Sequence, residues 1–295
     1  MSVFLTTNSD GFLYGSANAL GLGAVCQQHL LLFCIAKELN VNVSIYPYKN
    51  IIGYADYCCS PEEWDKSFTE FFKFPFLGEN QFDTEMEFNG SYDDLKSGIE
   101  SMRNDDRIVL VHLEDKLVRD IGQESLNIFF EKKYLKQIKD NLIVDNTYFL
   151  KDDINVSFHI RSANSGDIQS EILRHSREIG NVSDNFYRYK NIISHIKDKN
   201  LEKNVKVHIH SQGSEENFKD FFTLNSDGLE VNLHLNDHPI NDIYHMSNAD
   251  YLVMANSSYS WISHLLNSNT SYVRDNFWHT VYPNAIKIDY NYNII

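Results

Sequence analysis

Short apolar runs alternate with longer amphipathic stretches through the second half of the chain. The period-2 runs predict strands at 155–160, 205–211, 229–235, 251–255 and 272–274. Between most of them, apolar residues at helical spacing predict helices at 185–197, 215–222, 240–246 and 259–266. Strand–helix alternation at this spacing implies a parallel sheet with right-handed crossovers. The first half is less regular. Gly21-Leu22-Gly23 opens a helical pattern over 25–39, followed by a predicted strand at 41–46. Residues 58–105 are polar, aromatic and irregular, with weak helical pieces at 62–72 and 92–102. A strand at 107–113 and a helix at 124–135 follow, and the polar, turn-like stretch 140–153 places a boundary near 150. The expectation is an α/β chain of two domains, 1–150 and 151–295.

Ligands of parallel sheets bind at the carboxyl ends of the strands. Three polar clusters fall at such ends: His159 with Arg161, His210-Ser211-Gln212, and Asn256 to Ser260. In the last, a short strand runs into Asn256-Ser257-Ser258-Tyr259-Ser260-Trp261 and then a helix. The first amides of a helix lack carbonyl partners and the dipole favours negative charge there, so this is the pattern of an anion site. Ser257 and Ser258 also read plainly as helix N-caps. Arg161 can grip a phosphate with two parallel charge-assisted bonds and stays charged in any site. Its plainer alternative is an ion pair at a strand end, and for His159 the alternative is a core histidine. Asp242, on the amphipathic stretch with Ile240, Ile243 and Tyr244, reads either as a solvated helix acid or as an acceptor for the N1–H and 2-amino group of guanine. Together these residues describe a pocket for a nucleotide diphosphate. His208 and His210 share one face of a strand, a spacing that serves zinc, but no third ligand has convincing spacing and no metal is expected.

Composition narrows the setting. Hydrophobic residues at 42% and charged residues at 23% describe an ordinary globular chain. The net charge of −15 argues against nucleic acid or an anionic membrane as partner. Cys26, Cys34, Cys58 and Cys59 lack metal-ligand spacing, which points to a reducing compartment. No leader-like segment or membrane-length apolar run is visible. The expectation is a soluble cytoplasmic protein, at most peripheral to a membrane-bound glycan assembly.

With these residues in place, a family resemblance emerges. HIRSANSGD at 159–167 resembles the H-x-R motif of the fucosyltransferase superfamily, the α1,2-, α1,6- and protein O-fucosyltransferases of GT-B fold. NDIYHMSNADYLVMANSSYSW at 241–261 resembles that group's downstream nucleotide motif, GLGAVCQQ at 21–28 its glycine loop, and VHIHSQG at 207–213 occupies the place of its intermediate strand. Ser162 stands where the α1,2-enzymes carry a second arginine, Asp167 comes three residues later than their acid, and Ala24 replaces an asparagine.

The resemblance implies two Rossmann-type domains with parallel sheets facing across a cleft. It implies a GDP-sugar donor, most simply GDP-fucose, bound by the C-terminal domain. Transfer to a hydroxyl of an oligosaccharide or polysaccharide acceptor would be inverting, with no required metal or other cofactor. Carried over by position, Arg161 holds the β-phosphate and His159 and Asp242 contact ribose or guanine. Ser257, Ser258, Tyr259 and Ser260 close around the diphosphate, and Gly21 and Gly23 let the N-terminal loop approach. A general base comes from Asp167 or Glu171, which follow the arginine motif, or from an acid such as Asp10. Two alternatives are a GT-B transferase using another nucleotide sugar and a non-catalytic glycan-binding relative. The aromatic-rich stretch 64–82 reads either as a sugar groove or as a packed satellite core, and Phe277-Trp278-His279 either as a cap on the pocket or as packing.

Overall fold

The computed structural model describes residues 2–7, 22–45, 60–73, 82–103, 106–113, 118, 133–141, 149, 152–161, 182–279 and 281–295. Asp10, Gly21, Asp167 and Glu171 lie outside them, as do Cys58, Cys59 and most of the helix expected at 124–135. The chain divides into two compact units, Met1–Leu142 and Ile143–Ile295. The fold is α/β, with one parallel sheet in each unit.

The first unit holds β1 (Ser2–Thr7), β2 (Asn42–Val43), β3 (Thr84–Phe88) and β4 (Ile108–Leu113), in the order β2–β1–β4–β3. All of its pairings are parallel. The Leu22–Leu39 helix is buried around most of its circumference, with Val25, Leu30, Leu32 and Ile35 in the core beside Gln27, Gln28 and His29. Phe68 and Phe71 are also core residues, so this part of the aromatic-rich stretch is packing. Two helices start on capping boxes, Ser60 with Glu63 and Ser91 with Asp94. Strand β3 was not expected from sequence. It is an edge strand whose exposed Glu85 and Glu87 hide its pairing with β4, charges of the kind that discourage pairing with a second chain.

The second unit holds β5 (Ile154–His159), β6 (Val205–Ser211), β7 (Glu230–Leu235), β8 (Tyr251–Val253), β9 (Thr270–Arg274) and β10 (Ile286–Ile288). Their order is β10–β9–β8–β5–β6–β7, parallel throughout. The chain steps outward from β5 to β6 and β7, crosses back to the other side of β5, then steps outward again through β8, β9 and β10. The direction of winding therefore reverses between β5 and β8. In such sheets the crevice at this reversal, outside the carboxyl ends of the strands, is the binding position.

The two faces of this sheet differ in chemistry. One carries Val156, Phe158, Val207, Ile209 and Val231. It packs on Ile192, Ile193 and Ile196 of the Val182–Asp198 helix and on Phe218, Phe221 and Leu224 of the Glu215–Asp227 segment, a 3-10 helix that covers the helical stretch expected at 215–222. Each fully buried side chain of this kind contributes roughly 1.5–3 kcal/mol. The alternate positions carry Asn155, Ser157, His208, His210 and His234, all buried. They lie under the Pro239–Asn248 helix, which brings Asp242 and His245 onto them. Strands buried on both faces normally read as continuous apolar runs, so a buried polar face requires internal hydrogen bonds for every group. No helix of the described residues is long and apolar enough to cross a membrane.

Candidate functional site

Three chain segments meet where the winding of the second sheet reverses. Strand β5 delivers His159 and, just beyond its end, Arg161. Strand β8 continues through Met254 and Ala255 to Asn256 and the Ser258–Leu266 helix. Strand β6 closes beside β5, where Ser211 Oγ donates to the Ile160 carbonyl at 2.6 Å. Asn236, just after β7, accepts from the amide of Gly213 in the loop after β6 and donates to its carbonyl. Gly213 holds a φ of 124°, a conformation that favours glycine.

The Ser258–Leu266 helix has Ser257 as its N-cap, whose Oγ accepts from the Tyr259 amide at 3.2 Å. Ser260 turns inward and its hydroxyl donates to the Ala255 and Ser257 carbonyls, so it shapes the turn from within. Ser258 Oγ lies 3.1 Å from His279 Nε2, which accepts from Trp278 Nε1–H at 2.8 Å. The Phe277–His279 segment thus docks against the start of this helix, with the His279 ring 4.9 Å from that of Trp261.

His159 packs its ring on Tyr259 at a centroid distance of 5.3 Å. Burial, reinforced by the charge of Arg161, pushes its pKa down to about 3, so the ring is a neutral donor–acceptor beside a fixed cation. Its buried Nδ1 has no hydrogen-bond partner among the described residues. Neither has the buried Oδ1 of Asn256, on the opposite side of the reversal point. Buried polar atoms are nearly always paired; these two are among thirteen orphaned buried atoms of the described residues, and they stand at the ends of neighbouring strands. Asn256 lies within the cluster read from sequence, yet its residue type alone does not single it out. Its orphaned oxygen does.

Asp242 is not a solvated helix acid. It is buried and its Oδ1 lies 2.7 Å from Nδ1 of His210, a residue with no exposed side-chain surface. Burial pushes the Asp242 carboxyl well above the usual carboxylate range and the His210 imidazole down to about 3. Both directions oppose charge in this layer. The neighbouring imidazoles follow the same rule, with His208 pushed down to about 2 and His234 to about 3, by burial first and mutual repulsion second. The rings of His210, His234 and His245 lie nearly parallel, with interplanar angles of 15° and 13° about His234. The two strand histidines, whose spacing would serve zinc, are instead joined to His234 and Asp242. Among the described residues, no group of three or more His, Cys, Asp or Glu side chains is placed to hold a metal ion.

The structure thus brings His159, Arg161, Ser257, Ser258, Tyr259 and Ser260 to one end of one sheet, with Asp242 reaching that end through His210 on β6. Gly23 sits in the first turn of the Leu22–Leu39 helix of the other unit.

No protein-family model matches the chain, and no curated protein matches it. Among solved structures, it is similar to POFUT1 in complex with GDP, at 12% identity and a TM-score of 0.49, covering 91% of this chain and 95% of that one. For POFUT1 in complex with GDP-fucose the identity is 10% and the TM-score 0.44, over 91% and 94% of the two chains. The E. coli heptosyltransferase WaaC with ADP-2-deoxy-2-fluoro heptose is similar at 8% identity and a TM-score of 0.40, over 97% and 92%. None of these reaches a TM-score of 0.5, and nothing about the site follows from them.

Proposed function

We propose that this protein is a glycosyltransferase of GT-B type that takes a sugar from a nucleotide-diphosphate donor, GDP-fucose in the first instance, and transfers it with inversion to a glycan hydroxyl. The observation that carries this reading is the convergence, at the β5/β8 reversal, of Arg161, the N-terminus of the Ser258–Leu266 helix and two orphaned buried polar atoms. A diphosphate placed there meets a guanidinium on one side and a helix N-terminus on the other.

In this reading Arg161 takes the β-phosphate and Ser257 and Ser258 line the diphosphate. His159 and Asn256 supply polar contacts to the ribose, and Asp242 accepts from the guanine edge. The acceptor hydroxyl oxygen forms a bond to the anomeric carbon as the bond from that carbon to the β-phosphate oxygen breaks. The electron pair leaves with GDP, and the hydroxyl proton passes to a general base, assigned to Asp167 or Glu171. Charge grows on the diphosphate as the bond breaks, so a fixed Arg161 and helix N-terminus stabilise the transition state more than the ground state. No metal is required in this scheme.

Calorimetric titration with GDP, ADP and UDP, with and without chelator, tests the donor assignment. GDP binding that survives chelation and exceeds ADP and UDP binding at least tenfold is expected, followed by turnover of GDP-fucose with a glycan acceptor. Preference for ADP or UDP would reassign the base, and absence of all nucleotide binding would refute the reading. Near-normal turnover in both Asp167→Ala and Glu171→Ala would remove those two from the role of base.

A further inference from the structure

The polar face of the second sheet contains a connected line of three side chains, Ser157 on β5, His210 on β6 and Asp242 on the Pro239–Asn248 helix. Ser157 Oγ lies 3.4 Å from His210 Nε2, and His210 Nδ1 lies 2.7 Å from Asp242 Oδ1. The connectivity is that of a hydrolase triad, but Ser157 and His210 have no exposed surface, so no substrate reaches the hydroxyl. Only Asp242 opens outward, with 13% of its side-chain surface accessible.

Burial favours the protonated form of Asp242, whereas two ligand donors on its outer edge favour the carboxylate. That carboxylate only accepts, so in the ligand-bound arrangement Nδ1 of His210 carries the hydrogen and Nε2 accepts from the Ser157 hydroxyl. The neighbouring line has the same logic. Asn155 Nδ2 points to the Asp153 carbonyl at 3.4 Å, so its Oδ1 faces His208 and accepts from Nε2–H at 3.2 Å. His208 Nδ1 then accepts from Nε2–H of His234 at 3.0 Å. His208 and His210 thus each carry one proton, and burial keeps His234 neutral beside them.

We propose that His210 is a positioning residue for base recognition: oriented by Ser157, it holds the Asp242 carboxyl in one rotamer and leaves the accessible edge of that carboxyl to accept from two adjacent donors of a ligand base. The proposal rests on the nucleotide reading above and adds a residue that never touches the ligand. An arginine or lysine in the place of His210 would neutralise the acid. A neutral imidazole supplies one directed hydrogen bond and adds no counter-charge, so it is the ligand's donors that favour the ionised form of Asp242. Burial keeps His210 neutral, since His245 and His234 stack on it and a second proton would place a charge where solvent does not reach. The charged groups near this layer include Asp237, 3.8 Å from His234 Nδ1, Lys206, which acts on His208, and Arg161, beside His159.

The test compares GDP with inosine diphosphate, which lacks the 2-amino group, and with ADP, which lacks both donors, by calorimetry on the full chain. His210→Phe keeps a ring and removes the donor. It is expected to reduce the GDP preference over inosine diphosphate and ADP at least tenfold while leaving ADP affinity within about threefold. His210→Asn places an amide N–H near the position of Nδ1 and is expected to retain most of the preference. His210→Gln places its amide near Nε2 and is expected to lose it. If His210→Phe does not fold, the two amide variants decide the matter. Equal preference in His210→Asn and His210→Gln, or wild-type preference in His210→Phe, would overturn the role of His210 alone. A wild-type protein that bound GDP no better than ADP would overturn the guanine reading and this role with it.

Discussion

The hydroxyl of Tyr259 donates to the carbonyl of Pro239 at 2.6 Å. This bond joins the first turns of two helices, the one that starts at Ser258 and the one that carries Asp242. The same ring packs on His159 at the end of β5. Tyr259 is therefore a strut between the diphosphate side and the base side of the candidate site.

Tyr259→Phe keeps the ring and loses one half-buried hydrogen bond, so unfolding free energy should fall by about 1 kcal/mol. GDP affinity should fall less than tenfold. Tyr259→Ala removes the ring from His159 as well and should weaken GDP binding more than Tyr259→Phe. Denaturant melts alongside calorimetry separate the two, and equal behaviour of both variants would contradict the strut.

Arg161→Ala should weaken GDP at least tenfold while leaving guanosine affinity unchanged, because charge-assisted hydrogen bonds contribute about 1.5–3 kcal/mol. Arg161→Lys should recover only part, since an ammonium cannot make two parallel bonds to a phosphate. Equal losses for GDP and guanosine would place Arg161 away from the diphosphate.

Asp242→Asn gives a sharper test of base reading. The amide oxygen should face Nδ1–H of His210, which leaves the amide N–H₂ toward the ligand. Guanine then meets a donor where it needs an acceptor, whereas xanthine carries a carbonyl in place of the 2-amino group. GDP affinity should fall about 10- to 100-fold for the hydrogen bonds lost, and xanthosine diphosphate should now bind better than GDP. An unchanged order of preference would show that Asp242 does not contact the base.

The buried histidines make stability depend on pH with a defined sign. His29, His159 and His210 have folded pKa values of about 3 against 6.5 for a free side chain. Below 6.5 the unfolded chain takes up protons that the folded chain refuses. The stability these residues contribute is present above pH 6.5 and declines as pH falls toward 3, by about 1.4 kcal/mol per pH unit for each group. Asp242 acts in the opposite sense, since its raised pKa favours the folded state at low pH, but it is one carboxyl against several imidazoles. Urea midpoints at pH 7.5, 6 and 5 should fall steadily, and His29→Leu should flatten the slope. A pH-independent midpoint would contradict the burial of these rings.

Much of the second unit was legible from periodicity. The strand at 205–211 appears with the bounds that its alternation predicts, and the other strands read in this half differ by one or two residues at their ends. Strands β3 and β10 were missed for different reasons, the first because its glutamates mask the pattern and the second because three residues make no period. Strand β1 was read only for leader-like character, and its pairing with β4 is a contact between distant parts of the chain. Among the candidate residues, the positions of His159, Arg161 and Ser257 to Ser260 at strand ends and a helix start were legible because such ends leave local marks. His210 was visible as a histidine on a strand but not as the partner of an acid 32 residues away.

Local alternation of apolar and polar residues by itself determined that the second half forms strands joined by helices, hence a parallel sheet, and that its polar clusters fall at strand ends. Tertiary structure decided the strand order, and with it the reversal between β5 and β8 that brings two of those clusters together. It also decided that the histidines of β6 and β7 face inward under the Pro239–Asn248 helix, where removal of water keeps them neutral. The physical reason is the range of the interactions. Backbone periodicity is set by near neighbours, whereas strand order, facing and protonation depend on which distant side chains exclude the solvent.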